Sequence, residues 1–424
     1  MKEIKINNFE EKLFYEKLSN GLEVYLLPLK HKKNYLASFA VKYGGRDIKF
    51  KLDGTLYKTP SGIAHFLEHK MFERKDDPFT FYEKSGTDVN AATSHDFTHY
   101  YIFGSNNFEE NLKYMLSWMK EINITEEEVE KEKGIILEEA SMYKDNPARV
   151  LNEKIKTKVF LKDPYNIKVI GENEDIKSIT KENIELVFNS FYTSNNMFLV
   201  IIGNFNKDNA MEIIKKETIS LRSNNNIEKI YDEEPDEVIE KEEEIEFNIE
   251  VPRIAVAYKF NKNLFKNIKV TPFELDLYFH FLISIALGPT SLKREEWFKN
   301  RLFLSSMYRI IEIDTHYVIE FSALTNYPDK LKEELVSYLK DLKIDKESFE
   351  REKKLWIASE IEGISNITSM KYNLMDDVLD YGKYIPNKIE IIRNLDYKIL
   401  EKLKSVLVFK ENATVKLVPK DKKK

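Results

Sequence analysis

The chain is written twice. ITEEEVEKEK at Ile124–Lys133 returns as IDKESFEREK at Ile344–Lys353, and His65-Phe66-Leu67 returns as His280-Phe281-Leu282. Asn196, ahead of one apolar run, returns as Asn412 ahead of another. The offsets are 220, 215 and 216 residues, a nearly constant register that marks a duplicated fold. Whatever architecture the first copy adopts, the second must be able to adopt too. The 424 residues suffice for two such domains with substantial cores. Between them the sequence turns polar and acidic, with SNNN, DEEPDE and EKEEE. The expected division is therefore a first domain over 1–222, a solvated acidic connector over 223–246, and a second domain over 247–424.

Strands and helices are mixed within each copy, which predicts an α+β fold. In the first, Leu22–Leu27 alternates after the Asn20-Gly21 turn and Tyr35–Tyr43 follows as a second strand. A short helix is expected at Pro78–Lys84, and the run TDVNAATSHDFTHYYIF reads as β structure. Helices are expected over Asn107–Ile122, from Thr125 to about Met142, over Ala148–Leu161 and over Lys181–Phe191. Met197–Ile202 is an apolar strand.

One helix carries chemistry. Gly62–Phe72 reads GIAHFLEHKMF, behind a Thr59-Pro60 pair suited to starting a helix. At about 100° per residue, Ile63, Phe66, Leu67 and Met71 form an apolar arc, and His65, Glu68 and His69 fall opposite. The spacing is H-x-x-E-H, a zinc signature. Imidazoles four residues apart can reach one ion, and Glu68 beside them can act as a base without binding it. With no cysteine in the chain, any metal must use histidine and carboxylate ligands.

A third ligand follows from projecting the Thr125–Met142 helix. Val129, Ile135, Ile136 and Tyr143 share a face with Glu132 and Glu139 at its middle, while Glu130, Lys131, Lys133 and Glu138 point elsewhere. Carboxylates on an apolar face need a partner, and a zinc ion held by two histidines is one. Glu139 is assigned as the ligand and Glu132 as the residue orienting the site from behind. The second copy has Ile283, Ser284 and Ser359 where the first has Glu68, His69 and Glu139, so it has lost the site and His280 reads as a packing residue.

HFLEH, followed after 69 residues by the last Glu of EKEKGIILEE, resembles the insulinase/pitrilysin metallopeptidase family. The likeness runs from SNGLEVYLLP through VNAATSHDFTHYY and EEASMYKDNP to FYTSNNMFLVIIGNF, and is nearest to the two-domain bacterial processing-peptidase-like branch. It implies two related α/β halves, each an antiparallel sheet with packed helices, closing like a clam shell on a peptide. It also implies one zinc at His65, His69 and Glu139, Glu68 as base, and Asn90 and Ala91 on a strand that pairs with substrate backbone. His95 and His99, in or beside that strand, read as structural or rim residues.

One departure stands out. Family members that act alone carry, in the second half, an arginine and a tyrosine seven apart around a Gly-Leu. Setting Arg301-Leu302 on the Gly-Leu places Trp297 and Leu304 at those positions. Arg301 and Tyr308 have the right spacing only if the Gly-Leu is abandoned. On the first alignment the missing pair would come from another chain, so a dimer is expected, and a heterodimer with a related zinc-free chain is one form it can take.

The expected activity is zinc-dependent endopeptidase cleavage of peptides or short unfolded segments. The rival expectation is a zinc-stabilised, non-catalytic peptide-binding or structural subunit, against which the intact Glu68 speaks. A net charge of −6 without a basic cluster argues against nucleic acid. The N-terminal MKEIKINNFEEKLFYEK has no apolar targeting segment and no stretch reads as a membrane span, so a cytoplasmic location is the expectation.

Overall fold

The computed structural model describes residues 1–6, 9–74, 76–223 and 226–420. Its first sheet is built around two strands that are buried at every position, Met197–Gly203 and Tyr35–Val41. Runs such as MFLVIIG are apolar on both faces because both faces are covered. Among the described residues the sheet has seven strands, in the order Lys2–Lys5, Lys12–Lys17, Glu23–Pro28, Met197–Gly203, Tyr35–Val41, Thr98–Gly104 and Asp88–Thr93. The second sheet has five, in the order Glu243–Phe247, Ala413–Pro419, Arg253–Asn261, His316–Leu324 and Ser305–Glu312. The pairing is mostly antiparallel, as expected. Each sheet adds one parallel pair at its equivalent place, Glu23–Pro28 with Met197–Gly203 and Glu243–Phe247 with Ala413–Pro419. The duplication seen in the sequence is thus repeated in strand order.

The chain forms two compact units that are drawn differently from the contiguous halves expected. One comprises Met1–Ala140, Ile167–Tyr231 and Glu360–Lys388; the other comprises Ser141–Asn166, Asp232–Ser359 and Ile389–Lys424. Each therefore takes a helix from the other's stretch of sequence. In the first unit the helix Ile367–Tyr381 lays Ile367, Met370, Leu374 and Val378 on Leu36, Phe198, Val200 and Ile202. In the second, Pro147–Val159 lays Leu151, Ile155 and Val159 on Ala255, Val318 and Val415. Both helices have the apolar spacing a sheet requires, and that spacing is silent about which sheet.

Two other expectations are corrected. The acidic segment is not wholly solvated: Ile227–Lys229 pairs with Lys49–Leu52. Glu234 is only 5% exposed, accepting Lys259 Nζ at 2.7 Å and the backbone N–H groups of Leu161, Lys162 and Asp163 at 2.9, 2.8 and 2.7 Å. A lysine within a strand buried among apolar residues needed an acid, and this one came from the acidic run. Asn224 and Asn225, inside the SNNN run, lie outside the described residues. Second, Pro272–Lys299 is long and apolar enough by composition to cross a membrane, although 72% of its most apolar window is buried. Its residues Phe279, Phe281, Leu282 and Ile283 form the core of the second unit, which accounts for the apolar run.

Candidate metal centre

The helix bearing H-x-x-E-H covers Ile63–Phe72 and begins later than the Thr59-Pro60 pair suggests. Its N-cap is Gly62, at φ 91°. A Cβ there would lie 2.5 Å from Ile170 O and 3.0 Å from Gly171 Cα, so glycine is required both for the turn and for the close backbone approach. Ile63, Phe66, Leu67 and Met71 are all at most 1% exposed, and His65, Glu68 and His69 are half-buried.

The second helix, Glu126–Lys144, buries Val129, Glu132, Ile136 and Ala140. Ile135, placed on the same face from sequence, is 43% exposed, because it sits at that face's margin. Glu138 points to solvent and Glu139 points to the histidines. Glu139 Oε2 lies 3.7 Å from His65 Nε2 and 3.6 Å from His69 Nε2, and the ring centroids of His65 and His69 are 4.6 Å apart. One ligand atom from each of the three residues lies within 4.8 Å of the others.

Two imidazoles and a carboxylate are a zinc donor set. Tetrahedral ligands at bonds of 2.0–2.2 Å stand about 3.4 Å apart, so the three residues fit an ion with small adjustments.

Glu132, 2% exposed, is within 2.8 Å of His69 Nδ1 through its Oε1. A carboxylate there accepts a hydrogen bond from Nδ1–H, the tautomer that leaves the Nε2 lone pair on the side of Glu139. Burial alone would raise the Glu132 pKa, but its hydrogen bonds to His69 and Glu73 and the nearby cations hold it down to about 2. Burial likewise pulls His69 down, and Glu132, Glu139 and Glu68 together outweigh it and raise His69. Behind Glu132, Lys70 is buried and ion-paired with Glu73.

Glu68 accepts a hydrogen bond from the Thr93 hydroxyl, a contact sequence reasoning missed. Strand alternation held the clue. Asp88–Thr93 shows exposed and half-buried residues in strict turn, with Ala91 and Thr93 on one face and Asn90 on the other. Burial raises the Glu68 pKa and the like charge of Glu139 adds to it, against Thr93 and His69. The strand is the sheet's edge, paired only with Thr98–Gly104 among the described strands. Asn90 is exposed, and its Oδ1 accepts the Ala91 N–H at 2.8 Å.

His95 and His99 are 8% and 1% exposed; His95 Nε2 is 3.3 Å from Ile167 O and His99 Nδ1 is 3.3 Å from Ser38 Oγ.

In the second unit, His280 packs edge-on against Trp356. Glu352, the counterpart of Glu132, is fully buried and bonds Thr290 and Trp356 instead of a histidine. Arg301 has φ 55°, the left-handed conformation that favours glycine, which supports setting it on the Gly-Leu. On that alignment Trp297 is buried with Nε1 donating to Glu334 at 3.1 Å, and Leu304 is 50% exposed. Tyr308 is half-buried against its own unit's core, and its side chain bonds Ser284, the residue standing where the first copy has His69.

Comparison with known proteins accords with this geometry. Residues 53–173 match the family described as Insulinase (Peptidase family M16), and residues 178–355 match the Peptidase M16 inactive domain. The zinc protease YmfH of Bacillus subtilis, itself uncharacterised, is 32% identical over 355 residues, 80% of each chain. The zinc protease PqqE of Helicobacter pylori is 30% identical over 214 residues, 49% of this chain and 46% of that one. A solved M16-like peptidase structure from Alicyclobacillus acidocaldarius superposes with a TM-score of 0.89 at 28% identity, covering 97% of this chain and 99% of that chain. The chain belongs to the insulinase family of peptidases, family M16.

Proposed function

We propose that the protein is a zinc-dependent endopeptidase acting on peptides or short unfolded segments, as in peptide processing, with one zinc per chain held by His65, His69 and Glu139. The observation that carries this reading is the convergence of His65, His69 and Glu139 with a half-buried, hydrogen-bonded Glu68 beside them. Zinc, when bound, supplies a Lewis acid that acidifies water and polarises a carbonyl. Glu68 takes the proton of the attacking water and passes it to the leaving amine. Its raised pKa suits it to hold that proton between the two transfers. Thr93 fixes the carboxylate, and Glu132 fixes the His69 ring. A peptide added to the open edge of Asp88–Thr93, along Asn90 and Ala91, would bring its backbone past Glu68 in extended form.

On the alignment that sets Arg301-Leu302 on the Gly-Leu, Trp297 and Leu304 occupy the sequence positions of the arginine and tyrosine, and neither is an oxyanion donor of that kind. Donors of that kind are worth about 10²–10³ in rate each. A second, related chain carrying the pair is therefore part of the proposal.

The test is cleavage of a peptide library by the purified chain, alone and mixed with such a partner. Weak cleavage alone and a large gain on mixing are expected. Glu68→Gln should keep zinc and lose about 10²-fold or more in rate. Comparable cleavage by Glu68→Gln would sink the mechanism. Strong cleavage by the isolated chain that disappears in Tyr308→Phe or Arg301→Ala would sink the partner.

A further inference from the structure

The second unit holds a hollow, largely apolar but with charged groups in its wall, that the peptidase reading does not use. A cavity of about 310 Å³ opens on its sheet beside the helix Pro147–Val159. Glu320, Ser322 and Leu324, alternate residues of the strand His316–Leu324, share the face that lines it. Asn152 lines it from the helix, Arg309 from the strand on one side and Arg253 from the strand on the other.

Two of these charged groups, buried Glu320 and half-buried Arg253, each have a buried atom with unmet hydrogen-bonding capacity. Glu320 is 2% exposed and its Oε2 has no hydrogen-bond partner among the described residues. Arg309 Nε stands 3.7 Å from that oxygen, while the other end of its guanidinium donates to Asn152 Oδ1 at 2.9 Å. Arg253 Nε is likewise buried without a hydrogen-bond partner among the described residues. Leaving such groups unmet costs free energy that apolar replacements would avoid, so their retention around one cavity points to a ligand.

The charges select its chemistry. Arg309 and Lys156 already act on the Glu320 carboxylate, so a simple cation would meet their charges with no anion of its own to offset them, and a simple anion would face the buried carboxylate. A molecule with an ammonium at one end and a carboxylate at the other satisfies both. Arg253 is paired with Leu324, four residues along the strand from Glu320, or roughly 13 Å. For one small zwitterion to reach both, the side chains of Glu320 and Arg253 must each lean along the sheet towards the other. Leu151, Met307 and Leu324 add an apolar wall for a side chain.

We infer that this hollow binds a free aliphatic amino acid or a dipeptide as a zwitterion, with its ammonium on Glu320 and its carboxylate on Arg253. The inference is independent of the peptidase reading and is tested by binding alone. The zinc-loaded full chain is titrated calorimetrically with L-leucine and with Leu-Leu, each also as its N-acetyl and its C-terminal amide form. One parent compound should bind at one site, and which one does identifies the source of the zwitterion. Blocking either end removes a charged hydrogen bond and should weaken binding about tenfold or more. Glu320→Gln and Arg253→Met should do the same while zinc content and melting temperature stay those of the wild type. The blocked ligands need no variant, so a variant that fails to fold does not spoil the test. The proposal is overturned if neither parent binds at about 10 mM, a free energy below that of any selective site. It is also overturned if blocked and parent forms bind alike, or if both folded variants bind as the wild type does.

Discussion

Lys371 lies within the packed helix Ile367–Tyr381 and is 0% exposed. Its Nζ has no hydrogen-bond partner among the described residues and rests over the rings of Tyr372 and Tyr101, 3.5 and 4.4 Å from their centroids. Burial pulls its pKa from 10.5 to about 8, with Asp376 opposing. At about 1.36 kcal/mol per pH unit, that difference is a penalty of about 3 kcal/mol on the folded state at pH 7. The unfolded lysine keeps its proton up to its ordinary value, and the folded one releases it near 8. Between those values unfolding takes up a proton, so stability rises with pH; below about 8 the whole penalty is present. The two rings return about 1–2 kcal/mol through the cation's attraction to their faces. Lys371→Met keeps the stem and removes the charge, so it should stabilise the protein by about 1–3 kcal/mol at pH 7. Urea unfolding at pH 7 and at pH 9.5 checks this, because by the higher value the lysine's penalty has fallen by more than half. An advantage that is absent at pH 7, or is the same at both pH values, would refute the reasoning.

Five residues carry the other predictions. His65→Ala and Glu139→Gln should each lose zinc while circular dichroism stays unchanged, against about one zinc per wild-type chain by metal analysis; a Glu139→Gln chain binding zinc as tightly as wild type would remove Glu139 from the ligand set. Thr93→Val should keep zinc and lower kcat by about tenfold with KM nearly unchanged, because on the proposed mechanism Thr93 aims Glu68 and not the substrate. Lys259→Met should destabilise by about 3 kcal/mol in urea by stranding buried Glu234, and adding Glu234→Gln should recover part of that loss.

Much of the site was legible because helical geometry is local. The period of 3.6 residues separates Glu139 from Glu138 and puts His65 and His69 on one side without any knowledge of the fold. Glu132 was legible for the same reason. Thr93 was not, because its contact with Glu68 crosses 25 residues and depends on how an edge strand meets a helix. The helix bearing H-x-x-E-H starts later than its Thr-Pro signal because Gly62 is fixed by its approach to Ile170 and Gly171, over a hundred residues away. In the second copy the same Thr-Pro signal does start a helix: Thr271 caps Pro272–Leu287 with Glu274 in a capping box. The exchange of helices between sheets left no trace in local pattern, since Pro147–Val159 and Ile367–Tyr381 would read identically whichever sheet they covered.

That exchange sets a timetable for the chain as it leaves the ribosome. The strand Met197–Gly203 completes the first sheet, yet the helix that covers Leu36, Phe198, Val200 and Ile202 is not made until Tyr381. At about 5–20 residues per second, the sheet waits on the order of 10–40 s with an apolar face uncovered. In that interval four of the five strands of the other sheet emerge beside it. The N-terminal portion of this protein therefore cannot finish folding first, and the newborn chain is most exposed to aggregation, and most in need of a chaperone, during the synthesis of its second half.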